Sequence, residues 1–370
     1  MTRTRLLPLI VIPLLGAAAM AAPSATAPLR SGAQIFEAAC ASCHGVDGRG
    51  AARTTVGFET ELPDLTDCNF ATREPDKDWG AVVHHGGPAR AFDKMMPAFG
   101  EALSQAEIQR ALDHARSFCR EKSSWPRGEL NLPRPLVTSK AFVEDEAVIS
   151  TAVATEGKGE VMSKLIYEQR IGARGQFEVI LPFGFLETEE EGWTGGIGDI
   201  GLATKWALWH SLRTGSILSL ALELFLPTGR EDRGLGKGVT VVEPFVAFGQ
   251  ILPYKGFLQL QAGAEVSTEP DRAAHEVFWR GVLGASFSEH GFGRMWSPMI
   301  EVLGAAELEE DEAAVSWDLV PQLQATISTR HHLIVAAGVR VPVTDFDARS
   351  SQFMMYLLWD WFDGSLTEGW

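Results

Sequence analysis

The sequence predicts two domains of different class, a small all-α domain followed by an all-β antiparallel transmembrane β-barrel of about twelve strands. Two observations support this division. Cysteine and methionine motifs lie between amphipathic helix patterns before residue 122, whereas apolar and polar residues alternate with a period of two from residue 147 onward. The 370 residues are enough for one small and one large all-β domain.

Residues 1–22 have the pattern of a secretory signal peptide. Two arginines precede an apolar run from Leu6 to Leu15, and Ala19-Met20-Ala21 supplies the small residues that cleavage requires. The run is shorter than the roughly 20 residues of a spanning helix, which makes a membrane anchor the less favoured interpretation. Export would place the mature chain in an oxidising compartment.

Composition argues against global disorder and against nucleic-acid binding. Apolar residues make up 45% of the chain, and the formal net charge is −16. No basic patch that could contact nucleic acid is visible. No later apolar stretch reaches the length of a spanning helix, so a soluble protein and a membrane β-barrel remain as alternatives.

The stretch EAACASCHGVDGRG, residues 37–50, contains Cys40, Cys43 and His44 in a C-x-x-C-H motif. In this motif two thiols add to the vinyl groups of haem, and the adjacent histidine can bind the iron. A zinc site would need further ligands at matching spacing, and a thioredoxin-like motif would need a βαβ frame that is absent here. The motif therefore predicts one covalently bound haem c.

Amphipathic helices are predicted on both sides of this motif. Residues 32–41 place Ile35, Phe36 and Ala39 on one face and carry the cysteines at their end. The later stretch LSQAEIQRALDHARSFC has Ser104 as N-cap and Glu107 to close a capping box. Its predicted buried stripe consists of Ile108, Leu112, Ala115 and Phe118.

Residues 31–122 resemble the class I c-type cytochromes. The shared order is a C-x-x-C-H helix, an irregular loop, the M-P-x-F-G pattern in KMMPAFG, and a terminal helix. The resemblance implies His44 as the proximal iron ligand and Met96 as the distal one. Met96 is preferred to Met95 because it directly precedes Pro97, whose ring restricts the local backbone.

The distal position has rival candidates in the stretch VVHHGGP. His84 or His85 could bind the iron, although paired histidines in a glycine-rich loop are more often exposed polar residues. The choice matters because methionine ligation raises the reduction potential relative to two histidines.

Cys68 and Cys119 are the two remaining cysteines. In an exported domain they could form a disulfide, which would stabilise the fold by about 3–4 kcal/mol in the loop-entropy model. Two free thiols are the alternative, because the sequence does not show whether the Cα atoms come within bridging distance.

Residues 123–146 are predicted to be a Pro-rich linker. The stretch KSSWPRGELNLPRPLVTSKAFVEDE has three prolines within ten residues and no sustained period. Each proline favours extended backbone at the residue before it. The linker is therefore either a tether between the domains or an arm that lies against one of them.

Residues 147–362 alternate as expected for barrel strands that face lipid on one side and the barrel interior on the other. In SILSLALELFL the leucines share one face, and Ser219, Ala221 and Glu223 share the other. The predicted strands have lengths that suit tilted spanning strands of ~9–11 residues. They are approximately 147–155, 160–171, 175–186, 197–209, 215–226, 239–252, 256–267, 275–288, 294–306, 314–327, 331–342 and 350–362.

The connections between these strands alternate between short basic turns, such as GARG and PYKG, and longer acidic loops, such as ETEEEGWTGG and ELEEDEA. Short periplasmic turns and longer external loops are typical of outer-membrane barrels. The predicted location is the outer membrane of a Gram-negative bacterium, with the haem domain in the periplasm and residues 363–370 as a C-terminal tail. A soluble β-sandwich is the alternative. Tryptophans that suit interfacial girdles are Trp209, Trp279, Trp296, Trp317 and Trp361.

The stretches GGIGDIGLATKWALW and LELFLPTGREDRGLGKG resemble the outer-membrane proteins named after the meta-pathway of phenol degradation. This resemblance implies a barrel or a transporter. Charged residues on the predicted inward face must be paired or hydrated, and a twelve-stranded barrel is expected to have a narrow or plugged pore. These residues are Lys164, Glu168, Arg170, Glu178, Asp199, Lys205, Glu223, Glu243, Glu265, Arg280, Glu301, Asp318, Arg340 and Asp360.

Two functions fit these features. The first is a single-haem c-type cytochrome, anchored in outer-membrane lipid by its barrel, that transfers single electrons on the periplasmic side to or from a periplasmic redox partner protein. The second is a porin-like transporter of a small-molecule solute whose haem domain acts as a plug or redox sensor. No Ser/His/Asp set or catalytic carboxylate pair stands out, so we expect an electron carrier rather than an enzyme.

Overall fold

The computed structural model of the chain describes residues 30–57, 61–90, 92–189, 192–308, 315–327, 330–345 and 349–360. The predicted signal peptide, Trp361 and the predicted C-terminal tail lie outside these ranges. None of the helices within these ranges is long and apolar enough to cross a membrane.

The N-terminal part of the described chain is helical. Ile35 of the first helix packs with Ile108 and Leu112 of the last one, so the two helices form the core of this domain. A Cβ atom at Gly32 would lie only 2.1 Å from the carbonyl oxygen of Arg110, so glycine permits this close packing. The helices are α1 (Gly32–Ala39), α2 (Ala41–His44), α3 (Arg53–Val56), α4 (Cys68–Arg73), α5 (Asp76–His85) and α6 (Gln105–Ser117).

The predicted helix boundaries agree closely with the structure. Helix α6 has Ser104 as its N-cap and the predicted capping box with Glu107, whose carboxylate accepts a hydrogen bond from the Ser104 amide at 3.0 Å. The first predicted helix is shorter than expected, because α1 ends at Ala39 and Cys40 lies at the junction with α2.

A disulfide bond joins Cys68 to Cys119, whose Cα atoms are 5.0 Å apart. It links the start of α4 to the residues that follow α6. The sequence left two free thiols as the alternative, and the structure shows the disulfide.

The C-terminal part is a closed antiparallel barrel of twelve strands, as predicted. Segments β4 and β5 are parts of one barrel strand because both pair with β3, and β9 and β10 both pair with β11. Pairing of β1 with β14 completes the ring. The segments are β1 (Glu146–Ala154), β2 (Glu160–Ile171), β3 (Gly175–Thr188), β4 (Gly192–Ile197), β5 (Ile200–Ser211), β6 (Ser216–Leu226), β7 (Val241–Ile251), β8 (Gly256–Ser267), β9 (Glu276–Ala285), β10 (Phe287–Ser288), β11 (Met295–Glu307), β12 (Val315–Thr326), β13 (Leu333–Pro342) and β14 (Gln352–Asp360).

The fourth predicted strand, 197–209, begins earlier in the structure, because β4 (Gly192–Ile197) occupies part of the predicted loop ETEEEGWTGG, and it is interrupted before β5. Asp199 lies between β4 and β5, where its carboxylate accepts hydrogen bonds from the backbone amides of Gly229 at 2.9 Å and Lys237 at 2.7 Å. This carboxylate thus holds the loop after β6, and the ladder with β3 is broken at that position.

The outer face of the barrel is apolar. On β6, the side chains of Leu220 and Leu222 are 47% and 45% exposed, whereas the inward Ser219 and Ala221 are buried. Each strand segment carries at least one exposed large apolar side chain. A soluble β-sandwich would bury such a face in its core, so the pattern is that of a barrel surrounded by lipid.

Residues 133–144 of the predicted linker lie inside the barrel, whereas Arg127 near its start pairs with Asp76 of α5. The backbone of residues 133–144 bonds to inward side chains of distant strands: Gln259 on β8 donates to the Pro133 carbonyl at 2.8 Å, and the Glu144 amide donates to Gln176 on β3 at 2.7 Å. Phe142 also packs against inward Ile217 and other core residues of the barrel. The linker is therefore an arm that fills part of the lumen.

Candidate haem site

The helical domain contains a cavity of about 260 Å³. The four predicted haem residues, Cys40, Cys43, His44 and Met96, all line it. Most of the remaining wall is apolar and includes Phe36, Leu65, Phe70, Val82, Leu103 and Leu112. The fold thus brings together residues that are about fifty positions apart in the chain.

The end of α1 and the short helix α2 position the C-x-x-C-H residues. The Cys40 amide donates to the Phe36 carbonyl at 2.8 Å, and the His44 amide donates to the Cys40 carbonyl at 2.9 Å. Gly45 then ends α2 with a positive φ of 74°. Because Phe36 is buried in the core, the motif is held against the cavity wall.

The chemistry of these residues fits haem c. Cys40 and Cys43 are free thiols, as thioether formation requires. Burial lowers the pKa of His44, so the ring is neutral near pH 7 and can offer a nitrogen lone pair to iron. Its Nδ1 atom is buried without a hydrogen-bond partner among the described residues. Burial, and then Cys43, raise the pKa of the Cys40 thiol to about 11.

The methionine segment is held close to the end of α5. The Gly87 amide donates to the Met96 carbonyl at 3.0 Å, and a Cβ atom at Gly87 would lie 2.1 Å from the carbonyl oxygen of Asp93. Met95 also lines the cavity, but its side chain is 46% exposed, whereas Met96 is half-buried. This difference is consistent with the preference for Met96.

The rival ligands His84 and His85 lie on the last turn of α5. Neither belongs to the set of described residues that line the cavity. Their rings instead contact Phe292 of the barrel, with ring centroids 5.4 and 5.6 Å away. The structure therefore does not bring them to the predicted iron position.

The cavity is also lined by three residues that were not predicted as site residues: Trp79, Asp78 and Arg90. The Arg116 guanidinium lies 4.1 Å from the centre of the Trp79 ring, a distance typical of a cation–π contact. The helical spacing on α5 could have placed Trp79 on the buried face. No sequence signal marked Arg90, whose role depends on residues of the barrel.

Charged residues of the lumen bind the linker. Arg134 lies 2.7 Å from Glu168 and also pairs with Glu146. The buried Glu301 carboxylate accepts hydrogen bonds from the backbone amides of Leu136 at 2.8 Å and Thr138 at 2.9 Å. The predicted inward residues Glu168 and Glu301 are thus paired with the chain's own linker.

Two family models match separate parts of the chain. Residues 27–114 match the family described as cytochrome C oxidase, cbb3-type, subunit III. Residues 158–292 match the family described as MetA-pathway of phenol degradation. The chain therefore contains a segment similar to cytochrome c domains and a closed twelve-stranded β-barrel. The first match implies a haem c cofactor.

Solved outer-membrane proteins are similar to the barrel part of the chain. An outer membrane channel from Pseudomonas putida F1 is 14% identical, with 62% of this chain and 99% of that chain covered and a TM-score of 0.47. LpxR from Salmonella typhimurium is 7% identical, with 58% and 100% covered and a TM-score of 0.42. The KdgM porin is 5% identical, with 58% and 99% covered and a TM-score of 0.38. No curated protein matches the sequence.

Proposed function

We propose that this protein is a single-haem c-type cytochrome, anchored in the outer membrane by its barrel, that transfers single electrons on the periplasmic side. The observation that carries the proposal is the convergence of Cys40, Cys43, His44 and Met96 on one apolar cavity. Such a site suits an electron carrier, because it offers two thiols that could attach haem and two residues that could bind its iron, in a mostly apolar cavity.

Each residue has a defined role in this proposal. Cys40 and Cys43 would hold haem c by thioether bonds, and His44 and Met96 would bind its iron. Haem would supply the iron centre that accepts and releases one electron. The apolar wall would exclude water, and a low local polarity is one of the means by which a protein sets a haem potential.

Three features of the barrel support its proposed role as a membrane anchor: its strand lengths, its outer face and the linker in its lumen. Its strand segments of up to 14 residues, such as β3, are long enough to span the membrane, and every strand segment carries at least one exposed large apolar side chain. Residues of the linker fill part of the lumen and are bound there by ion pairs and hydrogen bonds. A lumen that is partly filled by the chain itself favours anchoring over passage of a solute.

The place at which the helical domain contacts the barrel supports the proposed periplasmic orientation. Arg90 of the helical domain donates to the carbonyl of Phe292, and Asp78 contacts His331. Both barrel residues lie in short connections, 289–294 and 327–332, between consecutive strands. Short turns are periplasmic in outer-membrane barrels, which supports a periplasmic haem domain.

A gated pore is the second candidate. The lumen contains charged residues, such as Lys164 and Arg280, that are partly accessible to water. The linker is held by non-covalent bonds, so its displacement would open a polar path. In this version the linker, rather than the haem domain, is the plug.

The test of the first function is the mass and the absorption spectrum of the mature protein from the outer-membrane fraction. We expect one porphyrin mass on the wild-type polypeptide and c-type α and β bands on reduction. Both should be lost in the double variant Cys40→Ala/Cys43→Ala. They should remain in Ser42→Ala, a matched control inside the motif. A wild-type polypeptide without added porphyrin mass would overturn the proposal.

A further inference from the structure

A barrel turn contacts the helix that borders the haem cavity. Phe292, in the connection between β10 and β11, places its ring against the rings of His84 and His85 at 5.4 and 5.6 Å. A Cβ atom at Gly80 would lie 3.4 Å from Cε1 of Phe292. The absence of a side chain at Gly80 therefore lets α5 lie directly on this aromatic ring.

Polar bonds reinforce the same contact. Arg90 donates from Nη2 to the Phe292 carbonyl at 3.1 Å and from Nε to Asp78 Oδ1 at 2.5 Å. His331 of the barrel has Nδ1 3.0 Å from the same Asp78 oxygen and Nε2 2.9 Å from the carbonyl of Gly293. Both ring nitrogens of His331 thus lie within hydrogen-bond distance of an acceptor oxygen, one in each domain.

The segment that carries Met96, residues 93–100, is hydrogen-bonded to the same helix, α5. The Phe99 amide donates to the Val83 carbonyl at 2.9 Å, and the Gly100 amide donates to the His84 carbonyl at 3.0 Å. The Gly87 amide, just beyond the helix, donates to the Met96 carbonyl. Helix α5 and residues 86–90 therefore lie between the barrel turn and the segment that carries Met96.

We propose that Phe292 and His331 of the barrel are positioning residues for Met96, so that docking of the helical domain on the barrel strengthens the methionine–iron bond. This inference rests on the proposed function, since it requires haem in the cavity with Met96 as the distal ligand. The barrel then does more than anchor the domain. It controls how readily the distal position of the iron opens to another ligand.

The barrel would strengthen the methionine–iron bond because it restricts the movement of residues 93–99. Displacement of the Met96 thioether by an added ligand requires residues 93–99 to move away from the cavity. Their backbone is bonded to α5 and Gly87. Helix α5 is in turn held by the Phe292 ring and by the contacts of Asp78 with Arg90 and His331. Loss of the ring contact lowers the resistance of α5 to that movement.

The experiment uses the full-length ferric protein in detergent and cyanide as the added ligand. Cyanide takes the distal position and the Met96 thioether leaves the iron, with no change in oxidation state. We expect cyanide to bind about three- to tenfold more tightly to Phe292→Ala than to wild type, the size typical of one lost aromatic contact. Phe292→Tyr, which keeps the ring, should restore the wild-type affinity.

The matched control is His290→Asn in the same turn. His290 is exposed and has a φ of 47°, which asparagine also tolerates. Its cyanide affinity should equal that of wild type. His331→Asn, at a position with a φ of 67°, should change the cyanide affinity in the same direction as Phe292→Ala. It serves as the second variant if Phe292→Ala does not assemble.

Hydrogen exchange gives an independent readout. The Phe99 and Gly100 amides, which are bonded to α5, should exchange faster in Phe292→Ala than in the control. Equal cyanide affinity and equal exchange in a haem-loaded Phe292→Ala would overturn this inference and leave the proposed function intact. A wild-type protein without covalent haem would overturn the proposed function and this inference with it.

Discussion

Nδ1 of His331 in the barrel lies 3.0 Å from Oδ1 of Asp78 in the helical domain. The same oxygen lies 2.5 Å from Nε of Arg90, whose side chain is only 2% exposed. One buried carboxylate therefore joins a cation of its own domain to a histidine of the other. Removing one member of such a cluster leaves uncompensated charge in the interface.

The variant Asp78→Asn should lower the free energy of unfolding of the docked helical domain by about 3–5 kcal/mol, because Arg90 and His331 lose the carboxylate that they share. Urea unfolding of the helical domain, followed by haem absorbance, measures this change. Glu37→Gln on the exposed side of α1 is the control and should alter stability by less than about 0.5 kcal/mol. Equal unfolding midpoints for the two variants would contradict the assigned role of Asp78.

Acid should weaken docking only below about pH 4. Burial by itself would raise the pKa of Asp78, but the hydrogen bonds and charges of His331 and Arg90 outweigh it and lower that pKa to about 2. Because the pKa is lower in the docked state, the stabilisation of roughly 2–3 kcal/mol is complete above the ordinary value near 4 and is lost as pH falls towards 2. Urea midpoints between pH 2 and 6 should show this step in wild type. Asp78→Asn should lack it.

Replacement of Cys68 and Cys119 by alanine should lower the stability of the helical domain by about 4 kcal/mol, from the entropy of the chain segment that the bond closes. The disulfide has a sequence separation of 51 residues. Thermal unfolding of the full-length protein, monitored by haem absorbance, measures the loss. The double variant should have the same unfolding midpoint as wild type whose disulfide has been reduced before heating. A midpoint equal to that of oxidised wild type would argue against the bond.

The linker should keep the barrel closed. We expect little or no conductance from wild type in planar bilayers, and clear channels when residues 129–144 are replaced by a Gly–Ser segment of equal length. Glu301→Ala should show intermittent opening, because this buried carboxylate binds the amides of Leu136 and Thr138. Glu156→Ala, at an exposed position, is the control. Steady conductance of the wild-type protein would instead support an open pore as the function of the barrel.

Substitutions of Met96 and of Met95 should have different effects on the haem spectrum and on the reduction potential. Met96→Ala should remove the sulfur-to-iron charge-transfer band of the ferric protein and lower its reduction potential, since methionine ligation raises that potential. Met95→Leu should leave the band in place, because Met95 is the more exposed of the two methionines and Met96 is the predicted ligand. Redox titration of both variants with optical detection makes the comparison. A band that survives in Met96→Ala but not in Met95→Leu would reverse the assignment.

Much of the fold follows from local patterns. The alternation in SILSLALELFL predicted which residues of β6 face outward, and the capping box at Ser104 and Glu107 predicted the start of α6. These features depend on residues that are neighbours in the chain. The interruption at Asp199 escaped prediction, because its carboxylate binds amides about thirty or more residues away.

The sequence by itself determined the domain classes, the twelve strands, the helix caps and the C-x-x-C-H residues, because each arises from spacing within one short segment. Only the tertiary structure decided that the linker fills the lumen, that Cys68 pairs with Cys119, and that Phe292 and His331 reach the helix beside Met96. Those relationships are contacts between distant segments. Polar groups such as Glu301 and Asp78 must find partners once they are buried, and which partners they meet depends on how the barrel closes around the chain.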